Sequence, residues 1–413
     1  MRINLRLIKQ NILYMALILI LVMFTDSLWI RNISANRFYI IIGLGVAALF
    51  LGLQHCKKKY LQKLSLLLVP IAISMIVNWD FNTLILFKMA IICICWVIAT
   101  KTDLRKLTNS YISFMLFIAV FSLICMLFRH QIVEMSFIPT IDSGSYGTKA
   151  LFFTNVKIGT GNLYFLRNQG PFWEPGAYQA YLNVAIMLLL FTNVERRHRN
   201  VELLILCGTV VSTISTTGYM VLGVLILAKM IMKDNSSWKS KLGIAVILLV
   251  VVLVALNNDT INYLLFDKMS KGSSNNISNA TRLYSIIQNG NGILQNPIFG
   301  IGPRKYSALF TQSTSFLGAV SVGVNTTTSL SVWALYGIVY FIVFNAGVIY
   351  FTGILGKRPM ATVFLLIAVF MIYNSENLNY SLFFNLLPIL GVYVKGGILN
   401  ENSDCINCTQ QKK

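Results

Sequence analysis

Twelve apolar runs divide this 413-residue chain, at about 12–30, 38–53, 64–79, 83–99, 110–128, 176–193, 201–213, 218–232, 242–257, 327–353, 360–373 and 380–395. A bilayer core holds no water to pair with backbone N–H and C=O groups, so apolar segments cross it as helices with internal hydrogen bonds. The pattern predicts an all-α polytopic membrane protein with about 12 transmembrane helices. Several runs are short against the roughly 20 residues that a spanning helix needs. Of these, 201–213 and 218–232 can form two half-depth helices joined by the polar turn Ser212 to Gly218. Hydrophobic residues at 56% and charged residues at 12% exclude a soluble chain of this length. The first run is too long for a signal-peptide core and lacks a small-residue cleavage site after it, so it reads as an uncleaved span.

Charge then orients the spans. Lys and Arg number 34 against 14 Asp and Glu, a net charge of +20. With the N-terminus inside, 22 basic residues fall in cytoplasmic segments, 11 in outer segments, and Lys88 within a span. Basic residues gather in cytoplasmic loops, so this count predicts both termini in the cytoplasm, and it explains the charge without a nucleic-acid partner. One integral membrane domain, 1–413, results. Two outer connections are long, 129–175 and 258–326, and the others are tight. Long ordered loops are usually functional, and neither has the composition of a disordered linker. The absence of an internal repeat weakens a transporter reading. Cys93, Cys95, Cys125 and Cys207 lie in apolar runs as small hydrophobes, and no disulfide framework is implied.

The first long loop ends in RNQGPFWEPGAYQAYLN, residues 167–183. Pro175 suits the first position of a helix, where its missing N–H costs nothing. Glu174 is then extended at the cap, beside the positive end of the helix dipole, with its carboxylate at the outer membrane surface. Trp173, Tyr178 and Tyr181 are aromatic residues suited to stacking on sugars. The competing readings are a plain cap for Glu174 and an interfacial belt for the aromatic rings.

In the second loop, Ser278 or Asn279 can cap a short surface helix with Leu283, Ile286 and Ile287 on an apolar stripe and Arg282, Ser285 and Asn289 on another face. That helix is expected to stop at Gly290 and Gly292. Asn296-Pro297, Gly300, Gly302 and Pro303 then form a glycine-rich turn that delivers Arg304 and Lys305, and such turns let backbone N–H groups approach an anion. Arg167, Arg282, Arg304 and Lys305 are thus cations on the outer side. Guanidinium groups suit bidentate contacts with phosphate oxygens, and snorkelling towards lipid headgroups is the alternative.

Arg167 to Asn183, STISTTGY at 212–219, Arg282 and NPIFGIG at 296–302 resemble, in this order, the O-antigen polymerase and O-antigen ligase superfamily. The resemblance covers about residues 160–350, and NPIFGIG after an arginine-bearing helix is its most specific part. It implies a glycosyltransferase of the bacterial cytoplasmic (inner) membrane. The donor would be an undecaprenyl-diphosphate-linked oligosaccharide used at the outer face, with Arg167, Arg282 and Arg304 on the diphosphate. Partners implied are membrane lipid, a chain-length regulator and a flippase. Ligases of the superfamily carry a histidine about eleven residues before a glycine after the second loop, and counting back from Gly337 reaches Thr326. This departure favours a polymerase, whose acceptor is another lipid-linked repeat unit.

Transfer from a diphosphate needs cations where charge develops on the departing phosphate. Arg282 and Arg167 are assigned that part, Lys305 with Arg304 an accessory one, and Glu174 that of general base. Asp142, Asp259 and Asp267 are weaker candidates for the base. Diphosphate leaves readily, and no motif argues for a metal or other cofactor. Cys405 and Cys408 make a lone CxxC without a second ligand pair. Asp26 and Lys88 are charges in predicted spans, a functional hint unless they snorkel. The alternatives are ligase-type transfer to another acceptor and, from a different class, a lipid-linked oligosaccharide flippase. A flippase would gather its cations in a cavity between helices.

Overall fold

The computed structural model describes residues 5–33, 37–53, 58–142, 147–159, 166–232, 276–311, 315–316, 319–320, 324–356 and 358–393. In chain order the described helices are α1 (Leu5–Asp26), α2 (Leu28–Ile33), α3 (Arg37–Leu53), α4 (Lys58–Val77), α5 (Thr83–Lys101), α6 (Leu104–Leu127), α7 (Arg129–Glu134), α8 (Pro175–Phe191), α9 (Arg199–Ser212), α10 (Thr216–Met232), α11 (Asn276–Gln295), α12 (Gly302–Thr311), α13 (Thr328–Leu355), α14 (Pro359–Tyr373) and α15 (Leu382–Tyr393). Eleven of the twelve apolar runs coincide with helices, and the run at 242–257 lies outside the described residues. Among the described residues, four helices are long and apolar enough to cross a membrane: Tyr60–Val77 of α4, α5, α6 and α13. Six more apolar helices are shorter. The chain is therefore mostly helical and consistent with a polytopic membrane protein.

Local chemistry starts these helices where it should. The Asn82 side chain accepts from the N–H of Leu84 at 3.0 Å ahead of α5, and Asp103 accepts from Arg105 N at 2.9 Å ahead of α6. Each supplies a partner that the first turn of a helix lacks. In α8 every residue is buried, and it packs against α6, α9, α10 and α14. A helix apolar and covered all round is the centre of a bundle. The pair α9 and α10, of 14 and 17 residues, turns through Thr213–Ser215 with Ile214 at φ 47°. At 1.5 Å per residue these helices are about 21 and 26 Å long, shorter than a hydrocarbon core of roughly 30 Å.

Two expectations are corrected. The protein is not entirely helical: β1 (Thr140–Asp142), β2 (Gly147–Ala150) and β3 (Asn155–Lys157) form an antiparallel sheet in the first long loop, and β4 (Ser315–Phe316) pairs with β5 (Ala319–Val320) in the second. Strands of two to four residues are too short to show an alternating pattern, so the sequence does not announce them. The second correction concerns α11, which runs through Gly290 and Gly292 to Gln295. It also turns its polar face inward, with Ser285 and Asn289 fully buried and Leu283, Ile286 and Ile287 exposed. Asn289 Nδ2 donates to Asn325 Oδ1 at 3.0 Å and Thr327 Oγ1 at 3.1 Å, and its Oδ1 accepts from the Tyr306 hydroxyl at 2.8 Å. Satisfied buried amides of this kind outweigh the small intrinsic cost of glycine in a helix.

The NPIFGIG segment is a joint between helices. Helix α13 is broken at Gly337, whose φ of 83° favours glycine, and a Cβ there would overlap the carbonyl of Ile298. Across the break, Ile301 N donates to Ala334 O at 2.8 Å and Ile338 N to Pro297 O at 3.0 Å. From the loop between α4 and α5, Asn78 Nδ2 donates to Gly300 O at 2.9 Å, and Asp80 Oδ2 accepts from Arg304 N at 2.7 Å. The N–H groups of Gly300, Ile301 and Arg304 all have protein partners, so the expected anion-binding use of this turn gives way to a structural one.

Candidate functional site

The N-terminal end of α8 is where the first loop delivers its chemistry. Glu174 is extended, φ −145° and ψ 153°, immediately before Pro175, and its side chain makes no capping hydrogen bond and is exposed. Its carboxylate is thus left available for a ligand. Beside it, the Arg31 guanidinium lies over the Trp173 ring at 4.0 Å and 3.9 Å from Asp26. The chain is fixed at this point by Leu28 N donating to Pro171 O at 2.9 Å. Burial lowers the Arg31 pKa, against which Asp26, Tyr181 and Glu174 all act.

Tyr178 and Tyr181 occupy a different environment from the one their sequence position suggests. Both are fully buried. The Tyr178 hydroxyl pairs with Ser122 Oγ at 3.0 Å, and Tyr181 donates to Asp26 Oδ2 at 2.6 Å while stacking on Phe172 at 4.3 Å. Because α8 is enclosed on every side, both rings sit in the core and away from any surface that a glycan reaches.

The polar turn between α9 and α10 joins the two long loops. Arg167 Nε donates to the Thr213 carbonyl at 3.2 Å, and Arg282 Nη1 donates to Thr217 Oγ1 at 3.1 Å. Two arginines far apart in sequence therefore converge on residues 213–217. Facing them is Glu376, in the connection between α14 and α15. It is buried, and burial followed by the nearby Glu174 pushes its carboxyl well above the usual range, while Arg282 and Arg167 pull it down. Lys157 of β3 completes the group: burial and then Arg167 bring its ammonium down to about 8, with Glu174 acting in the opposite direction. Two carboxyls and several cations at one point are an arrangement for handling both a proton and an anion.

A cavity of about 410 Å³ opens beside this cluster, between α11, α13 and α14. Arg282, Thr326 and Asn374 line its polar part, and Leu330, Phe341 and Phe370 its apolar part. The hydroxyls of Thr326 and Ser329 and Oδ1 of Asn345, all on the cavity wall, are buried without a hydrogen-bond partner. The Thr326 N–H is held by Ser285 Oγ at 3.0 Å. A site lined by an arginine together with aliphatic and aromatic residues suits an anionic head joined to an apolar chain.

Arg304 and Lys305 are exposed on α12. Among the described residues the structure does not bring them to the cluster formed by Arg167, Arg282, Glu174 and Glu376. Asp142 is described only in its backbone, and Asp259, Asp267, Cys405 and Cys408 lie outside the described residues. No group of three or more His, Cys, Asp or Glu able to hold a metal occurs among the described residues. Lys88 is fully buried, donating at 2.7 Å to Asn379 O, Asn379 Oδ1 and Asn385 Oδ1. Its charge is therefore spent on the connection that carries Glu376, and it does not snorkel.

Sequence motifs do not point to Glu376, which stands alone in the short stretch NSENLNYS. One signal was available. A carboxyl between two adjacent apolar helices is costly to hold unless cations or a proton offset it. A family model described as O-antigen ligase matches residues 202–319, a segment that includes the α9–α10 turn, Arg282 and NPIFGIG. No curated protein matches the chain.

Proposed function

We propose that this chain, which is similar over residues 202–319 to a family described as O-antigen ligase, is a polysaccharide repeat-unit polymerase working at the outer face of the cytoplasmic membrane. The observation that carries this reading is the convergence of Arg167 and Arg282 on the α9–α10 turn, beside Glu174 and a cavity lined by both polar and apolar residues. The donor is a glycan on undecaprenyl diphosphate. A hydroxyl at the non-reducing end of an incoming lipid-linked unit attacks the anomeric carbon. The new C–O bond forms as the bond to the diphosphate oxygen breaks, and that oxygen keeps the electron pair. Glu174 takes the hydroxyl proton. Arg167 and Arg282 meet the negative charge that grows on the leaving diphosphate, which stabilises the transition state more than the ground state. Arg304 and Lys305, apart from the cluster, have no part in this step.

Ligase-type transfer is the second reading, and the description of the matching family favours it. Thr326 at the position of the ligase histidine favours polymerisation, since a threonine hydroxyl cannot serve as a base near neutral pH. Purified protein in liposomes, given defined lipid-linked repeat units as the only substrate, should yield a ladder of longer lipid-linked glycans. No ladder, together with transfer to an added lipid acceptor, would replace polymerase by ligase. Movement of the substrate across the bilayer without any new glycosidic bond would favour a flippase.

A further inference from the structure

The connection 374–381 is braced from four helices. Thr328 Oγ1, in α13, donates to the Glu376 carbonyl at 2.7 Å and accepts from Leu378 N at 2.8 Å. Gln179 Nε2 of α8 donates to Ser375 Oγ at 3.3 Å. Lys88 of α5 holds Asn379 together with Asn385 of α15. The backbone on either side of one glutamate is thereby fixed. Its side chain lies on Gly176, in the first turn of α8, where a Cβ would overlap Oε1 of Glu376. A side chain there would displace the carboxyl from this position. Two residues earlier, at the same helix end, stands the exposed carboxyl of Glu174.

We propose that Glu376 is a positioning residue, a protonated carboxyl packed on the first turn of α8 that fixes the orientation of the exposed carboxylate of Glu174. The part of the pair in glycan transfer rests on the reading given above, whereas the pair itself does not. Two carboxylates in a partly dry site do not both ionise readily, and one of them keeps its proton. The charged groups facing Glu376 are Glu174 from the end of α8, Arg282 from α11 and Arg167 from the segment before α8. Arg31 of α2 and Lys157 of β3 face Glu174. From α13 the group in contact is the neutral Thr328 hydroxyl, and Lys88 reaches the Asn379 end of the connection. A neutral Glu376 leaves the charge of Arg167 and Arg282 to the diphosphate. An ionised one competes for it. Since its carboxyl is raised above the ordinary value, ionisation comes as pH rises, and the contribution is lost on the alkaline side.

The test reads the proton directly. Infrared difference spectra of wild-type protein in liposomes near neutral pH should show the carbonyl band of a protonated, buried carboxylic acid, and Glu376→Gln should remove it. In Glu174→Gln, where the neighbouring charge is gone, the band should titrate away at lower pH than in wild type. In the polymer assay, Glu376→Gln should lower kcat several-fold with little change in KM and flatten the alkaline limb of the pH profile. An unchanged acid band in Glu376→Gln overturns the proposal, as does a pH profile of the same shape as wild type. So does an unshifted titration in Glu174→Gln, which also covers the case in which Glu376→Gln fails to fold. Wild-type protein that makes no polymer but loses the band in Glu376→Gln would remove the polymerase reading and leave the carboxyl pair standing.

Discussion

The corner at the N-terminal end of α8 and the joint at Gly337 are both rich in the residues that make a sequence segment conspicuous, and they do different things. At the joint, Gly300, Gly302 and Gly337 adopt positive φ so that two backbones can bond to each other, and the available N–H groups are taken up by protein partners. At the corner, Arg167 and Arg282 both donate to the α9–α10 turn, and Glu174 lacks a capping bond. A recognisable motif can mark where the chain must be held, and chemistry collects where charged groups from distant segments converge. The joint delivers helix α11, and with it Arg282, to the corner.

The comparison breaks most easily at Arg282. If its guanidinium meets the leaving diphosphate in a partly dehydrated site, Arg282→Ala should lower polymer formed per unit of membrane-inserted protein by roughly 10²- to 10³-fold. Arg282→Lys should recover part of this, since it keeps the charge and loses the two-pronged donor geometry. Equal specific activity for all three proteins would make Arg282 a headgroup contact and return the corner to a structural role.

Glu174 comes next. Glu174→Gln keeps the size and removes the basicity, so a general base should lose about 10²-fold in rate. A cap would lose only about 1 kcal/mol of stability, with turnover intact. Because the Glu174 side chain makes no capping bond, the loss is expected in rate, and melting of the purified protein should move little.

Legibility from sequence follows the same division. The helices were readable because hydropathy runs of 15 residues or so report burial directly, and Pro175 placed the start of α8 correctly. The strands were not, being too short for a period. The exposed apolar stripe of α11 suits the lipid contact expected of a surface helix, while the amide network around Asn289 and Asn325 that buries its polar face is not visible in hydropathy. Glu376 was missed for a reason of connectivity. Its relation to Glu174 spans two hundred residues of sequence and is made only when α8 and the α14–α15 connection pack together.

At the joint, the expected effect of substitution falls on folding. Gly337→Ala forces a side chain into left-handed backbone space and onto the Ile298 carbonyl, costing on the order of 1–3 kcal/mol from the backbone alone. Such a loss lowers abundance several-fold in cells. Specific activity of the protein that does insert should stay within a few-fold of wild type. A fall in turnover at normal abundance would instead make the joint part of the reacting site.

The smallest effect is expected where the joint exports its own cations. Arg304 and Lys305 are exposed on α12, and the bond that ties this stretch to Asp80 comes from the Arg304 backbone, so removing both side chains leaves the bond in place. Exposed charges of this kind contribute little to stability, and their attraction for an anion is screened within about 10 Å at 0.1 M salt. The double substitution of Arg304→Ala and Lys305→Ala should therefore leave abundance unchanged and turnover within about twofold at that ionic strength. Any deficit should appear in KM at low salt, as expected of long-range attraction for an anionic substrate. A loss in kcat comparable to that of Arg282→Ala, persisting at high salt, would mean that α12 closes over the bound diphosphate and that the joint and the corner act as one site.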